Sequence, residues 1–426
     1  MMRRTPMNVM KPLAVAVLAA ITSTGWAAGS TATTNQTGNG NTATTSQTSV
    51  NDSVATVDQN GDNNTADVSQ ANSANMMTAD VDTTGNDNIA TISQDDSWFA
   101  TATIEQDGDA NNADISQVAI SDYTSASIQQ IGGTTTSQAS IDQNAAYDSG
   151  ATIVQSASTD AEASITQTNG FNLQATVTQN NLIGSVATVT QTNDNNTATV
   201  LQDDSWFATA TVDQSGSDNT ADISQVAISD GATATILQSG DNNIGTVSQD
   251  FSWLSDALID QSGTNGMASV IQDESTESSA TVMQSGDSNI AEVDQGLGDR
   301  NVATITQSDA FNYGRVEQSG SDNVGSVTQS GTNNVGDIDQ WGGNGEATIL
   351  QSNTGNDAYI NQTAPAEYGI ASIEQSGEGN VADILQTGLG TGVDPNTATI
   401  LQSSDFNAAS ISQHGGAGNN ASITQM

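Results

Sequence analysis

Two neighbouring segments of the chain decide the fold: Ser53-Val54-Ala55-Thr56-Val57-Asp58-Gln59 and Asn64-Thr65-Ala66-Asp67-Val68-Ser69-Gln70. In both segments a small residue, an aliphatic residue and a glutamine alternate with polar residues. Alternation with a period of two is the pattern of a β-strand that buries one face. Residues 60–63 are glycine, aspartate and asparagine, which suit a tight turn. The sequence therefore predicts two short strands joined by a turn, with Ala, Val and Gln facing inward.

This unit recurs along almost the whole chain. The pattern of Ala or Gly, any residue, an aliphatic residue, any residue and Gln ends at 33 glutamines, with Thr83 in the glutamine position of a further unit. Successive units follow at short and nearly equal intervals, as at Gln47, Gln59 and Gln70. A short period of strand and turn predicts an all-β fold, a flat two-sheet β-solenoid of about 34 strand units that becomes cross-β on assembly. Stacked in register, each inward glutamine amide would donate to the same residue one coil away.

The composition excludes several classes of function. Leu, Ile, Val and Phe make up about 18% of the residues, and 49 acidic side chains face 5 basic ones. These values match intrinsic disorder before assembly, and so few cations leave no surface for a nucleic acid. Without cysteine, and with His414 as the one histidine in a turn, the chain offers no catalytic residues, metal ligands, cofactor or small-molecule substrate site that we can name.

The first residues predict export. Arg3, Arg4 and Lys11 precede an apolar run over residues 13–21 and a small-residue site at Ala27. This order is that of a secretory signal peptide, which we place at residues 1–27. The continuous repeat array then occupies residues 28–426, with Arg300 and Arg315 as its cations.

The repeat resembles a known family. Ser53, Gln59, Gly61, Asn64, Ala66 and Gln70 follow the spacing of the curlin repeat of bacterial functional amyloids, and the spacing returns in four further places. The predicted ladder and turn positions beyond those six are Gln106, Gly108, Asn111, Gln117, Gln214, Gly216, Asn219, Gln225, Gln284, Gly286, Asn289, Gln295, Gln375, Gly377, Asn380 and Gln386.

The resemblance implies a function. It implies a non-enzymatic, secreted subunit of a curli-like amyloid fibre at the cell surface, used for biofilm matrix and adhesion. Its partners would be further copies of the chain, a minor nucleator subunit and an outer-membrane export pore. The chain departs from the family in having about seventeen paired units and only a short segment between the leader and the first unit. From the residues alone, we expect uncapped solenoid edges to template end-to-end addition.

Other interpretations of the surface stay open. Outward threonine pairs at Thr176/Thr178, Thr188/Thr190 and Thr304/Thr306 suit an ice-binding solenoid, although acids interrupt them. A monomeric adhesin rod is a second alternative. We interpret the acidic side chains as a solvated surface on which equivalent carboxylates of successive coils repel one another. They lie in predicted turns at Asp62, Asp218, Asp241, Asp287 and Asp322 and on outward strand positions at Asp58, Asp67, Glu105 and Asp114.

The aromatic residues lie in or beside predicted turns. Trp98-Phe99 recurs as Trp206-Phe207 within a long duplication, whose two copies keep a constant offset as far as Asp122 and Asp230. We interpret these rings as a cover over the turn edges. A contact surface for sugars or for lateral association of fibres is the alternative.

Overall fold

A computed structural model describes residues 29–72, 75–363 and 367–426. The predicted signal peptide lies outside the described residues. Within them the chain forms 34 strands of 6 to 11 residues and no helix, so no helix there is long and apolar enough to cross a membrane. The strands belong to two sheets of 17 strands each, which confirms the predicted all-β solenoid.

Odd-numbered strands form sheet A and even-numbered strands form sheet B. Sheet A contains β1 (Thr31–Thr37), β3 (Val54–Asn60), β5 (Thr78–Thr84), β7 (Thr101–Asp109), β9 (Ser125–Thr135), β11 (Gly150–Ser156), β13 (Gln174–Asn180), β15 (Thr197–Asp203), β17 (Thr220–Val226), β19 (Ile244–Asp250), β21 (Met267–Thr276), β23 (Ile290–Asp299), β25 (Tyr313–Ser319), β27 (Val335–Gln340), β29 (Asp357–Gln362), β31 (Val381–Gln386) and β33 (Ala408–Gln413). Sheet B contains β2 (Thr42–Thr48), β4 (Thr65–Ala71), β6 (Ile89–Asp95), β8 (Asn112–Val118), β10 (Gln138–Asn144), β12 (Glu162–Thr168), β14 (Val186–Thr192), β16 (Thr209–Gln214), β18 (Thr233–Gln238), β20 (Asp256–Gln261), β22 (Ser279–Asp287), β24 (Val302–Ala310), β26 (Val324–Gln329), β28 (Glu346–Gln351), β30 (Gly369–Gln375), β32 (Asn396–Gln402) and β34 (Asn420–Gln425).

From β1 to β32 each strand pairs in parallel with the strand two places later, and the pairing is in register except between β7 and β9, where the register shifts after Gln106. In sheet A, Ala198 lies beside Ala221, and Gln202 lies beside Gln225. Sheet B repeats the arrangement, with Gln238 beside Gln261. One odd and one even strand make a coil, and each coil adds about 4.8 Å to the length of the rod.

Strands continue to alternate between the two sheets where the interval between successive glutamines is shortest. From Gln307 to Gln362 the glutamines follow one another at a single, short interval. Strands β24 to β29 nevertheless keep to their alternate sheets, with β25 paired to β27 and β26 paired to β28. The shortest regular interval in the array is therefore enough for one strand and one turn.

The core is a narrow strip between the two sheets. The Ala and Val or Ile positions point inward along nearly every strand and are buried, as in Ala221 and Ile223 of β17. Burying a Val or Ile side chain contributes about 1.5–3 kcal/mol. Because this gain repeats in every coil, a chain with few large apolar residues still builds a continuous core.

The turns lie along the two long edges of the rod. We define edge 1 by the turns that lead from sheet B to sheet A, and edge 2 by the turns that lead from sheet A to sheet B. Isolated parallel bridges join successive turns on each edge, as between Tyr147 and Phe171 on edge 1 and between Ile183 and Trp206 on edge 2. The turns are therefore stacked in register, as the strands are.

Candidate functional site

The most extended feature of the interior is a ladder of glutamine amides in sheet B. Nε2 of each glutamine donates to Oε1 of the glutamine one coil later, at 2.8–2.9 Å. The ladder runs without interruption from Gln47 to Gln425. Every bond has the same direction, with the donor on the earlier coil.

Glutamine amides of both sheets also tie the two sheets together. Nε2 of Gln225 donates to Oε1 of Gln249 at 2.8 Å and also approaches the carbonyl oxygens of Thr209 and Ala232, each at 3.1 Å. Gln70 shows the same arrangement, with Gln94 Oε1 at 2.9 Å and the Val54 carbonyl oxygen at 3.1 Å. An unpaired amide in such a core would cost about 1–3 kcal/mol. Pairing along the axis and across the core removes that penalty.

The ladder of sheet A has one gap. Gln36 donates to Gln59 at 2.7 Å, and the ladder resumes only where Gln106 donates to Gln130 at 2.9 Å. Thr83 occupies the column between them. Its hydroxyl and Oε1 of Gln106 are buried without a hydrogen-bond partner in the described residues. From Gln106 to Gln413 the ladder of sheet A is then continuous.

Asparagines at the start of the strands form a second set of ladders. Oδ1 of Asn64 accepts from the backbone N–H of Asn88 at 3.0 Å, and its Nδ2 donates to the Gly85 carbonyl oxygen at 2.8 Å. Asn219 makes the equivalent bonds to Asn243 and Gly240, at 2.9 and 2.8 Å. Each asparagine thus closes its own turn onto the turn of the next coil.

Of the other predicted asparagines, Asn111 and Asn289 make both kinds of bond, and Asn380 makes one of them. Nδ2 of Asn111 donates to the Thr134 carbonyl oxygen at 2.8 Å, and Nδ2 of Asn289 donates to that of Asp309 at 3.1 Å. Oδ1 of Asn380 accepts from the Asn407 N–H at 2.8 Å. Nδ2 of Asn380 is buried without a partner in the described part of the chain.

Glycines allow the turns to approach each other closely. A Cβ atom on Gly61, Gly108, Gly216, Gly286 or Gly377 would overlap a backbone carbonyl oxygen of the next coil. The predicted Ser53 and Ala66 are buried, and the Ser53 hydroxyl lies 3.3 Å from the Met77 backbone nitrogen, which donates to it.

The repeats place their turns on both edges. Gly61 and Asn64 lie in a turn on edge 2, whereas Gly216 and Asn219 lie in a turn on edge 1. The predicted residues therefore form axial columns rather than one local pocket.

Replacing Gly240 by alanine should lower stability. Its Cβ would overlap the carbonyl oxygen of Gly263, which is backbone and cannot rotate away. We expect the free energy of unfolding to fall by about 1–3 kcal/mol, which a lower denaturation midpoint would reveal. Gly296→Ala is the matched control, because a Cβ there has no atom within 4 Å. Equal midpoints for the two variants would contradict a requirement for close contact between turns.

The acids of the turns have a role that the sequence did not reveal. Oδ1 of Asp62 accepts from the Asn39 N–H at 2.7 Å, and Oδ1 of Asp241 accepts from the Ser217 N–H at 2.8 Å. All five acids that the sequence placed in turns accept a hydrogen bond from the preceding coil, although Asp287 is the last residue of β22. The pairs are Asp62 with Asn39, Asp218 with Asn195, Asp241 with Ser217, Asp287 with Thr264 and Asn265, and Asp322 with Arg300. They connect coils as well as facing solvent.

Four strand acids and two acids near the turns have pKa values shifted in opposite directions. Burial raises the pKa of Asp80 and Asp82 above 3.8, and the nearby charge of Asp58 raises both further. Burial likewise raises the pKa of Asp114 and Asp222. By contrast, hydrogen bonds from Asn265 and Thr264 lower the pKa of Asp287, and Arg300 lowers that of Asp322. Within the described ranges no three such side chains form a group that could hold a metal ion.

These opposite shifts predict a stability maximum in mild acid. A carboxyl whose pKa is raised by folding opposes folding while it is ionised, and this cost disappears as the pH falls through its raised pKa. A carboxyl with a lowered pKa stabilises the fold above about pH 3.8, and this contribution is lost below that value. Stability should therefore rise from pH 7 toward about pH 4 and fall again in stronger acid. Denaturant midpoints across this range measure it, and a continuous decrease from pH 7 downward would contradict the assignment.

The two arginines of the array also join coils. Nε of Arg300 contacts Oδ1 of Asp322 at 2.7 Å. Nη1 of Arg315 lies 3.0 Å from Asp337 and 2.8 Å from Asp339, and its guanidinium also contacts Glu317. Each cation thus offsets repulsion between acids that the stacking brings together.

The remaining candidate residues do not converge. Thr176 and Thr178 lie on the outer face of sheet A, whereas Thr188/Thr190 and Thr304/Thr306 lie on that of sheet B. The threonine pairs therefore share no single flat plane. His414 is exposed, and its ring nitrogens contact the hydroxyls of Thr387 and Ser412, each at 2.7 Å.

Comparison with known proteins supports the resemblance drawn from the sequence. A family model described as Curlin associated repeat matches residues 276–308 and 394–425. The first match covers β22, β23 and most of β24, and the second covers β32 to β34. No curated protein matches the chain.

Proposed function

We propose that this curlin-repeat chain is a structural subunit of an extracellular fibre that grows end to end by stacking solenoid coils. Proteins with this repeat are structural rather than enzymatic and are generally secreted or extracellular. The observation that carries the proposal is the equivalence of the coils. The face that one coil presents to the next recurs in most other coils, with Ala or Gly, an aliphatic residue and Gln in its columns. The contact that joins coils within a chain can therefore join coils of two chains.

The end coils present complementary groups for such a contact. Within residues 29–72, 75–363 and 367–426, strands β33 and β34 each have one ladder neighbour, as do β1 and β2. Nε2 of Gln425 donates to a backbone carbonyl oxygen, with no glutamine beyond it in the described residues. At the opposite end, Gln36 and Gln47 donate into the stack, so their Oε1 atoms face outward. A head-to-tail stack would thus place donors against acceptors.

Exposed strand edges favour addition of further strands. Most soluble proteins block such edges, because unpaired N–H and C=O groups recruit other chains. In-register stacking of identical columns also gives amyloid its stability. We extend the proposal to biofilm matrix and surface adhesion, with a nucleator subunit and an export pore as partners.

Assembly of the purified exported chain tests the proposal. We expect thioflavin fluorescence to grow with time at micromolar concentration, preformed fibres to remove the lag, and electron microscopy to show filaments much longer than one rod. One chain of seventeen coils is about 80 Å long. Rods of that length that stay monomeric for weeks would overturn the proposal and favour a monomeric adhesin.

A further inference from the structure

The duplicated aromatic motif occupies opposite edges of the rod. Trp98 and Phe99 follow β6 in a turn of edge 1, and Trp206 and Phe207 follow β15 in a turn of edge 2. The second copy thus lies nine strands after the first, which is an odd number. Because the strands alternate between sheets, an odd number of strands moves the copied turn to the other edge.

On edge 1 the first copy begins a row of four aromatic rings, in which two contacts are stacked and one is edge-to-face. Phe99 and Tyr123 have ring centroids 4.9 Å apart, Tyr123 and Tyr147 are 5.7 Å apart, and Tyr147 and Phe171 are 5.3 Å apart. These four residues, which we call the ridge, are 39–51% exposed. Four successive turns thus present a continuous apolar projection to solvent.

On edge 2 the copied region forms a depression. Gly231 stands at the position equivalent to Tyr123, so the row of rings is interrupted there. The same edge carries a groove of about 520 Å³, lined by Asp204, Trp206, Ala227, Ile228, Asp230 and Phe251. Trp206, Ile228 and Phe251 are 49–60% exposed. The rod therefore carries a row of exposed rings on one edge and, on the other, a recess lined by apolar residues and two aspartates.

We propose that the ridge of one chain docks into the groove of a second copy and so joins neighbouring filaments side by side. The proposal rests on the fibre function proposed above. The first turn of the ridge and the first turn of the groove are nine strands apart, so parallel neighbours that align these turns would be staggered by about 22 Å. Since the contact uses opposite edges, each filament keeps a free ridge and a free groove, and sheets of filaments can extend.

The area of the contact indicates why it acts between filaments rather than between single chains. An aromatic side chain offers about 150–250 Å², of which roughly half is exposed here. The four ridge residues and the groove together would bury about 600–1,000 Å², below the roughly 1,200 Å² of a stable complex. Isolated chains would therefore associate weakly, whereas many such contacts along two filaments act together.

Preformed filaments of substituted chains test the contact. Tyr123→Ala removes part of the ridge, and Trp206→Ala removes a wall of the groove. Each variant should elongate as wild type does by thioflavin fluorescence, yet give single filaments in place of bundles by electron microscopy. Trp341→Ala is the matched control, because Trp341 is also on edge 2, is 51% exposed and lies outside both surfaces. Its filaments should bundle normally.

Mixing the two variants is the sharper experiment. Tyr123→Ala filaments retain the groove, and Trp206→Ala filaments retain the ridge, so a mixture of the two should regain pairwise bundling. The samples are compared at about 0.15 M salt, where repulsion between acids is screened beyond about 8 Å. Bundling of Trp206→Ala filaments alone, or no recovery on mixing, would overturn the lateral contact. If the rings bind a polysaccharide instead of a second filament, Trp206→Ala filaments should still form bundles. A wild-type chain that forms no filaments would overturn the fibre function itself.

Discussion

Replacing Gln225 by glutamate should prevent assembly of the solenoid around β17 at neutral pH and permit it in acid. The glutamine donates through Nε2 to Gln249 and to two backbone carbonyl oxygens. A glutamate of the same size places a charged acceptor against those three acceptors, in a position with no exposed surface. An uncompensated buried charge costs about 3–5 kcal/mol.

The pH dependence of this variant shows whether its destabilisation comes from the charge of the carboxylate or from a change in packing. Burial raises the pKa of such a glutamate, so its destabilising effect is largest above that pKa and decreases as the pH falls through it. A protonated carboxyl can again donate one hydrogen bond to Gln249. We expect the denaturant midpoint at pH 7 to fall strongly and to recover most of the difference near about pH 4. Ser224→Glu, one residue away on the outer face, is the control and should change little. A pH-independent defect in Gln225→Glu would contradict the ladder as its cause.

Replacing Thr83 by glutamine should stabilise the protein. Thr83 leaves its own hydroxyl and Oε1 of Gln106 buried without partners in the described residues. A glutamine there can accept from Gln59 and donate to Gln106, as the glutamines of the continuous part of the ladder do. Satisfying two buried polar groups is worth about 2–4 kcal/mol. The denaturant midpoint should therefore rise.

The adjacent position provides the control for this substitution. Thr84 is exposed on the outer face of β5, so Thr84→Gln adds the same side chain without reaching the column. Its free energy of unfolding should match that of the wild type within about 0.5 kcal/mol. If Thr83→Gln gave no gain over Thr84→Gln, the gap would not be a weak point of the stack.

The sequence was sufficient to predict the strands, their inner faces and the two-sheet solenoid. In this fold each residue meets its own equivalents above and below, so a period in the sequence becomes a column in space. The inward columns of Ala221, Ile223 and Gln225 follow directly from alternation in one strand. The same argument predicts a gap where Thr83 replaces a glutamine, although not which atoms lose their partners.

The turns could not be predicted to the same depth. The hydrogen bond from Asn39 to Asp62 depends on the conformations of two turns about one coil apart, and no short pattern encodes their relative position. The edge on which a turn lies depends on how many strands precede it. Trp98 and Trp206 share a local sequence yet lie on opposite edges, so counting strands is the signal that would have located the ridge and the groove.

The common direction of the amide bonds has an electrical consequence. A side-chain amide carries a dipole similar to that of a peptide unit, about 3.5 D. In the strands of a sheet the backbone dipoles largely cancel, whereas the glutamine amides of both sheets point toward the same end. Their moments add with every coil. The rod is thus a permanent axial dipole whose moment grows in proportion to its length, and a steady electric field would orient it.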